Sequence, residues 1–375
     1  MRRGTAFVAL LLLTALVPLR EAAAGPALVM ELSNSKVLYS EDADDLWHPA
    51  SLTKMMTAYL VFEALKAGKL DLKSKITCSD AAHVQPPSKI GLAVGRQMSV
   101  HLGLQSLIIK SANDVAVMFA EAVAGTEAAF VEKMNAKAQQ LGMTRTTYVN
   151  ANGLPAPAQV TTARDLAKLT RAIINDFPEF AHYWTKSEMR LGKMRLVTHN
   201  GLLQSFPGAD GMKTGFTCDS GFNVVATASR DGRRIITVVL GENSSAERNI
   251  RAASLLEHGF QQTGWKQLFN STTLDNMPLA DEVRVKSIRN DVVSWGCKDR
   301  KARVAKSKGK KKSTAAKASK KKPPATAAAP KQESVTVEVE PQGGAGVPES
   351  GDGEPTAVQL RGTVPEGAAA FQAQP

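Results

Sequence analysis

The chain of 375 residues contains little cysteine and few aromatic residues. Its three cysteines, Cys78, Cys218 and Cys297, do not have the spacing of a metal site. In an oxidising compartment two of them could form a disulfide and leave the third free, and the sequence leaves the pairing open. Aromatic residues make up only 5% of the chain, so we expect part of it to lie outside any hydrophobic core.

The sequence also lacks an apolar run long enough to span a membrane. The run from Phe7 to Val17 is shorter than the about 20 residues that a spanning helix needs. It follows Arg2 and Arg3 and precedes Ala22–Ala24, a pattern typical of a secretory signal peptide. We therefore expect residues 1–24 to be removed on export, leaving a periplasmic protein that is soluble or peripheral at the inner membrane.

The body of the chain has little excess charge, although the formal net charge is +12. Residues 298–331 alone carry +13, and residues 332–375 carry −6. The body therefore shows no basic excess typical of a nucleic-acid-binding domain, and we expect no nucleic-acid partner. The Lys, Ala and Pro content of residues 298–375 predicts disorder. This tail is expected either to contact an anionic membrane surface or envelope polymer, or to be a solvated linker.

The order of predicted strands and helices indicates an α+β protein. Two strands are predicted between Ala27 and Ser40, and a hairpin is predicted around Asp231–Gly232. Helices are predicted between these strand pairs, at 51–66, 102–123, 128–141 and from Thr162, and after them from a cap at Ser245. This order predicts an antiparallel sheet whose first strands pair with its last, covered by helices.

A Ser-x-x-Lys pattern opens the first predicted helix at Ser51 and Lys54. A nucleophilic serine needs a base within hydrogen-bond reach, and residues three apart lie on one helical face. The pattern occurs four times, but only Ser51 begins a helix with apolar periodicity. Taken alone, such a match is more often a helix cap beside a surface lysine.

Two further motifs favour catalysis. Ser111-Ala-Asn113 begins 60 residues after Ser51, and Lys213-Thr-Gly215 begins 102 residues after that. The second lies just before the predicted hairpin, so we expect it on an edge strand that faces a cleft. The three elements in this order are the signature of penicillin-binding proteins and class A β-lactamases.

From about residue 27 to 265 the chain resembles the D-alanyl-D-alanine carboxypeptidases, low-molecular-mass penicillin-binding proteins of peptidase family S11. Shared segments besides the three motifs include Asn152-Gly-Leu, His199-Asn-Gly-Leu-Leu and Ser220-Gly-Phe-Asn. The resemblance implies a serine transpeptidase (β-lactamase-like) fold: a five-stranded antiparallel sheet flanked by helices, plus a helical subdomain that carries Ser111. The predicted organisation is a signal peptide (1–24), a D,D-peptidase domain (25–265), an appendix of uncertain structure (266–297) and the tail (298–375).

The resemblance also implies a catalytic role for four residues. Ser51 would attack the carbonyl between two D-alanines of the peptidoglycan pentapeptide, and Lys54 would accept its proton. Ser111 would relay a proton to the leaving D-alanine, and Asn113 would hold the substrate amide. β-Lactams would act as inhibitors, and neither a metal nor a cofactor is implied.

The Lys-Thr-Gly segment would bind the substrate. Lys213 would supply positive potential, Thr214 would bind the terminal carboxylate, and Gly215 would complete the segment. The backbone N–H groups of Ser51 and Phe216 would form the oxyanion hole. Family members often have His where Phe216 stands and Arg where His199 stands, which leaves a role for these two side chains open.

Three alternative functions share these features. A class A β-lactamase would add a Glu-x-x-Leu-Asn segment, and none lies between Ser111 and Lys213. A D,D-endopeptidase that cleaves peptidoglycan cross-links would use the same groups and stays open. A cell-wall binding protein without activity would not need the intact set of motif residues.

Overall fold

The computed structural model describes residues 25–262, 271–281, 285 and 297. The predicted signal peptide, the tail and the proposed domain boundary at 265 lie outside the described residues. No helix within the described ranges is long and apolar enough to cross a membrane.

A five-stranded antiparallel sheet forms the centre of the fold. The strands of the structure are β1 (Ala27–Glu31), β2 (Val37–Glu41), β3 (Lys75–Thr77), β4 (Gln97–Ser99), β5 (Glu188–Leu191), β6 (Met194–Val197), β7 (Ala209–Thr217), β8 (Gly221–Arg230) and β9 (Arg233–Glu242). Those of the central sheet follow the order β2-β1-β9-β8-β7. Strand β1 pairs with β9, so the prediction that the first strands pair with the last is confirmed. Two small two-stranded sheets, β3–β4 and β5–β6, lie apart from this sheet.

Helices cover both faces of the sheet. The structure has α1 (Thr53–Lys66), α2 (Asp80–His83), α3 (Val100–Gln105), α4 (Asn113–Ala124), α5 (Glu127–Gln140), α6 (Ala163–Asp176), α7 (Leu202–Ser205) and α8 (Ser245–Gln261). Alternate strand residues enter separate cores: Leu28 and Ile236 pack with the residues of α1 and α4, whereas Val29 and Ile235 pack with Leu256 of α8. Because both faces are buried, the central strands carry mostly apolar residues on both sides rather than alternating apolar and polar ones.

The range 102–123, predicted to be largely helical, is helical except for an interruption at Ser111 and Ala112. After α3 the chain widens into a π-helical turn (Ser106–Lys110), and Ser111 then adopts a left-handed conformation with φ 61°. The backbone N–H of Asn113 donates to the carbonyl of Ser88, a partner outside the helix. A tertiary hydrogen bond therefore replaces the helical one, and α4 begins as a separate helix.

The cap of α8 is Ser244 rather than the predicted Ser245. The Ser244 backbone is extended and its hydroxyl accepts from the backbone N–H of Glu247 at 3.1 Å. Ser245 is already helical, so it cannot supply the non-helical geometry of a capping residue.

Residues 271–281 form a strap that is held by a buried ion pair. Arg164 makes two hydrogen bonds of 2.7 Å to the carboxylate of Asp44, and both side chains are buried. The same guanidinium donates to the carbonyls of Met277 and Pro278, and Asp44 accepts from the N–H of Ala280. One charge pair thus joins the strap to α6 and to the loop after β2.

Asp44→Ala should destabilise the fold by about 3–5 kcal/mol, because it leaves the buried Arg164 guanidinium without its counter-charge. Asp275→Ala is the matched control: it removes the partner of Arg171, and that carboxylate is 59% exposed, so its cost should stay below about 1 kcal/mol. Urea unfolding of both variants measures the difference. Equal losses would contradict this account of the strap.

Candidate active site

The turn that carries Ser51 lies against the edge strand β7 because glycines allow a close approach. A Cβ on Gly215 would lie 3.1 Å from the backbone N of Ser51 and 2.9 Å from the carbonyl of Pro49. A Cβ on Gly153, which has φ +85°, would lie 1.9 Å from the carbonyl of Ala50. Any larger residue at either position would push the turn away from its neighbours.

Hydrogen bonds hold this turn on the sheet. The side-chain amide of Asn223 donates to the carbonyls of His48 and Pro49, and its oxygen accepts from the N–H of Gly241. Trp47 donates its indole N–H to the carbonyl of Ser220 at 2.9 Å. The nucleophile candidate therefore sits on a segment whose position is set by β8 and β9.

Lys54 is buried directly behind Ser51, with 1% of its surface exposed. Its Nζ lies 3.1 Å from Ser51 Oγ, 2.8 Å from Asn113 Oδ1 and 2.5 Å from the carbonyl of Asn152. Burial, followed by the nearby charge of Lys213, lowers the pKa of Lys54 well below its usual range, and Asp114 opposes the shift only in part.

The partners of Lys54 suit a neutral amine. The two carbonyl-type oxygens can only accept, so both N–H bonds of the amine point at Asn113 and Asn152. The side-chain oxygen of Asn113 is fixed toward Lys54 because its NH₂ group donates to the carbonyl of Pro86. The lone pair of the amine is then left for the hydroxyl proton of Ser51.

Ser111 and Lys213 form a second buried pair. Lys213 donates to Ser111 Oγ and to the carbonyl of Thr214, both at 3.0 Å. Burial, and then the charge of Arg248, lowers the pKa of Lys213 to about 7. The ammonium is therefore close to losing its proton at neutral pH.

Arg248 is a site residue that the sequence analysis missed. It is buried, lines the same cavity as Thr214, and donates to the carbonyl of His199 at 3.1 Å. Burial lowers its pKa to about 10. A signal was present: Arg248 stands four and eight residues before Ala252 and Leu256, on the buried stripe of α8, where arginine is unusual.

His199 stands at the rim of the cavity with its side chain exposed. Although the residue is exposed overall, partial desolvation of its imidazole at the cavity wall, followed by the charges of Lys213, Lys110 and Arg248, lowers the pKa of the ring. A neutral ring is therefore favoured in this cationic surrounding.

The predicted site residues meet at one cavity of about 510 Å³, named here the Ser51 cavity. Six of the eight line it, and the two lysines lie immediately behind its wall, bonded to Ser51 and Ser111. The lining six are Ser51, Ser111, Asn113, Thr214, Gly215 and Phe216. Lys213-Thr-Gly lies on the edge strand β7 and faces this cavity, as predicted.

Cysteines and metal ligands take no direct part in this cavity. Cys218 forms a disulfide with Cys297, and Cys78 is buried and free, which resolves the pairing that the sequence left open. Within 25–262 and the other described positions, no group of His, Cys, Asp or Glu side chains could hold a metal ion.

Comparisons with known proteins identify relatives over most of the described residues. A family model described as D-alanyl-D-alanine carboxypeptidase, peptidase S11, matches residues 14–244. DacC of Escherichia coli, a D-alanyl-D-alanine carboxypeptidase, is 40% identical over 62% of this chain and 60% of its own length. DacF of Bacillus subtilis, of the same description, is 34% identical over 63% of this chain and 62% of its own length. The chain thus spans about three fifths of the length of these two relatives.

Solved structures show the same fold. Penicillin-binding protein 5 from Haemophilus influenzae matches with a TM-score of 0.61 and 35% identity over 63% of this chain and 70% of that chain. Penicillin-binding protein D2 from Listeria monocytogenes in its cefotaxime-bound form matches with a TM-score of 0.59 and 34% identity over 64% of this chain and 97% of that chain. The predicted serine transpeptidase fold is confirmed.

Arg248→Gln should raise the pKa of Lys213, because it removes the positive charge that disfavours the ammonium. The matched control is Arg251→Gln, three residues further along α8, whose guanidinium pairs with Glu41 and Glu242. NMR titration of ¹⁵N-labelled lysine side chains measures the pKa in both variants. An unchanged Lys213 pKa in Arg248→Gln would contradict the assigned cause.

Proposed function

Because the chain belongs to the peptidase S11 family of D-alanyl-D-alanine carboxypeptidases, we propose that it is a serine D,D-carboxypeptidase. It removes the terminal D-alanine from the pentapeptide of peptidoglycan through an acyl-enzyme on Ser51. β-Lactams inhibit it by acylating the same serine. No metal or cofactor takes part in this chemistry.

The observation that carries the proposal is the contact between Lys54 and Ser51. A buried amine with a lowered pKa, whose two N–H bonds are committed to Asn113 and Asn152, offers its lone pair to the serine hydroxyl. Lys54 takes the proton of Ser51 as Oγ attacks the carbonyl carbon between the two D-alanines. The backbone N–H groups of Ser51 and Phe216 stabilise the resulting oxyanion.

The second buried pair, Ser111 and Lys213, assists protonation of the leaving D-alanine. As the C–N bond breaks, Ser111 relays a proton from Lys54 to the departing amine, which returns Lys54 to its neutral form. The bond from Lys213 holds Ser111 Oγ in place for this transfer. Water then attacks the ester, Lys54 accepts its proton, and Ser51 is released with its hydrogen restored.

The other end of the Ser51 cavity suits the substrate carboxylate. Thr214 and Arg248 line it, and Lys213 lies behind. A carboxylate bound here would meet two buried cationic groups and a hydroxyl, in a setting where charge-assisted hydrogen bonds are strong. This arrangement supports a substrate with a free C-terminal carboxylate, which is the requirement of a carboxypeptidase.

D,D-endopeptidase activity remains the second candidate, since a cross-linked peptide presents a similar bond between D-residues. The leaving group of this reaction is larger than D-alanine. The Ser51 cavity has room for it on the solvent side, because Phe216 is half-exposed and His199 lies at the rim. The β-lactamase alternative is not supported, because no Glu-x-x-Leu-Asn segment lies between Ser111 and Lys213.

We place the enzyme in the periplasm. Residues 1–24 direct export, residues 25–265 form the D,D-peptidase domain and residues 266–297 an appendix. The basic segment 298–331 tethers the protein electrostatically to the anionic outer face of the inner membrane or to an envelope polymer. Near a lipid surface each basic residue contributes about 1 kcal/mol within a Debye length of about 8–10 Å.

D-Alanine release from a soluble pentapeptide tests the proposed function. The wild-type protein should release D-alanine, and Ser51→Ala should lower the rate about a thousandfold or more, because the acyl-enzyme cannot form. The variant should remain folded, since Ser51 lies inside the turn Ala50–Leu52 and does not cap a helix, and its hydroxyl contacts Lys54. Labelling with a fluorescent penicillin should be lost in parallel. Release of D-alanine by Ser51→Ala at the wild-type rate would contradict the assignment.

The pH dependence of kcat/KM should identify Lys213. With a pKa of about 7, its ammonium loses a proton as pH rises, so carboxylate binding and kcat/KM should fall above about pH 7. Lys213→Arg keeps its charge to high pH, so the alkaline fall should move upward in this variant even if its maximum rate is lower. An alkaline limb that is identical in both proteins would assign the titration to another group.

Removing the tail should abolish salt-sensitive binding to anionic surfaces without affecting catalysis. The full chain and a chain ending at Cys297 are sedimented with phosphatidylglycerol vesicles and with isolated cell wall over a salt series. We expect only the full chain to sediment at low salt, because its basic segment carries +13. Identical partitioning would favour a solvated linker, and loss of D-alanine release on truncation would contradict a purely tethering role.

A further inference from the structure

Asp114 is a buried carboxylate that the proposed mechanism does not use. It follows Asn113 in the first turn of α4, and none of its surface is exposed. Within the described ranges its hydrogen-bond donors are three backbone N–H groups, those of Ile90, Gly91 and Val115. A buried charge without a paired cation costs stability, so packing alone does not explain a carboxylate at this position.

Two of the three donors belong to the segment 86–91, which contains neither helix nor strand. The backbone N of Ile90 lies 3.1 Å from Oδ1 and 3.0 Å from Oδ2 of Asp114, and the N of Gly91 lies 2.7 Å from Oδ2. Hydrogen bonds to a charged acceptor are stronger than those to a neutral one. The carboxylate therefore fastens one end of this segment to the start of α4.

The same segment bonds to the backbone on both sides of Ser111. Ser88 donates its hydroxyl to the carbonyl of Lys110 at 2.8 Å, and its own carbonyl accepts from the N–H of Asn113 at 2.7 Å. The carbonyl of Pro86 accepts from the side-chain NH₂ group of Asn113 at 2.9 Å. Ser111 has φ 61°, a left-handed conformation that is unfavourable for any residue but glycine. These flanking bonds therefore support the conformation of Ser111 as well as the direction of the Asn113 side chain.

Charge is a second link between Asp114 and the site. Burial and the charge of Lys213 lower the pKa of Lys54, and the carboxylate of Asp114 opposes that shift. Cys78 lies in the field of the same carboxylate: burial, followed by the charge of Asp114, raises the pKa of its thiol. The other charged groups that act on this thiol are Glu121, Lys89 and Asp80. Of all these charges, those of Lys213 and Asp114 act on Lys54, with opposite signs.

We propose that Asp114 is a positioning residue of the Ser51 cavity: it anchors the segment 86–91, and through that segment it holds Ser111 and Asn113 where they act. Its carboxylate is buried and is not part of the cavity lining, so it does not touch the substrate. The inference rests on the proposed function, because the roles of Ser111 and Asn113 come from it.

Asp114→Asn tests this role, because it removes the charge and turns an NH₂ group toward backbone donors at almost unchanged volume. The matched control is Asp165→Asn. Asp165 is also buried in the first turn of a helix, where it accepts from the backbone N–H of Arg145 and the hydroxyl of Thr146. The rate at which benzylpenicillin adds its mass is measured from acidic to alkaline pH, with D-alanine release from a soluble pentapeptide as a second assay. Circular dichroism checks that each protein is folded.

The acylation rate of Asp114→Asn at its optimal pH should fall about ten- to hundredfold, since small displacements of catalytic groups have effects of this size. The acidic limb of its pH profile should move to lower pH. Without the carboxylate the pKa of Lys54 falls further, so the amine stays neutral in more acidic solution. Asp165→Asn should keep both the wild-type rate and the wild-type limb.

Amide hydrogen exchange of the wild-type protein tests the anchor without any substitution. The amide protons of Ile90 and Gly91 should exchange far more slowly than those of an unstructured chain, because both are bonded to a buried carboxylate. Exchange of these two protons at the rate of an unstructured chain would overturn the proposed anchor even if Asp114→Asn does not fold.

The outcomes separate this inference from the proposed function. If the wild-type protein is neither acylated nor releases D-alanine, the proposed function fails and this inference fails with it. If the wild-type protein is active and Asp114→Asn matches its rate, the function stands and the positioning role is overturned. A slower Asp114→Asn protein with an unmoved acidic limb, or an equal loss in Asp165→Asn, would show a general loss of structure and would also overturn it.

Discussion

The site depends on the burial of one lysine. Lys54 has almost no contact with solvent, and its amine touches Ser51, Asn113 and the carbonyl of Asn152. Removing a charge from water is costly unless the charge is paired, and Lys213 nearby makes protonation costlier still. Burial of Lys54 therefore lowers the stability of the fold, but it keeps a neutral amine that can accept a proton from Ser51.

The rest of the structure holds Lys54 in contact with its hydrogen-bond partners. Three separate segments supply the partners of Lys54, and each is fixed elsewhere: the Ser51 turn by Asn223, the Asn113 side chain by the carbonyl of Pro86, and the 150–154 loop by Gln159. Gly153 and Gly215 allow the backbones to approach closely enough for these contacts. The edge position of β7 then leaves its cleft side available to a peptide.

The sequence predicted the parts of this site that local patterns encode. Ser51 and Lys54 are one helical turn apart, and Lys213-Thr-Gly precedes a hairpin with a strong turn signal, so their elements could be assigned directly. The interruption at Ser111 was not predicted, because the apolar periodicity of residues 102–123 continues across it. The carbonyl of Ser88, which accepts the backbone N–H of Asn113 after the break, is remote in sequence. The disulfide between Cys218 and Cys297 spans 79 residues, and nothing local specifies such a pairing. Arg248 could have been found, since a charged residue on the buried stripe of α8 needed an explanation.

The acylation rate of Lys54→Arg is the most direct test of the central claim. Arginine carries a positive charge on a somewhat longer side chain than lysine but cannot give up its proton at any accessible pH. If a neutral amine at this position activates Ser51, the rate at which benzylpenicillin adds its mass to the protein should fall about a thousandfold or more, while the circular dichroism spectrum shows a folded chain. Acylation of the folded variant at the wild-type rate would contradict the account, because proton transfer from Ser51 would then need another base.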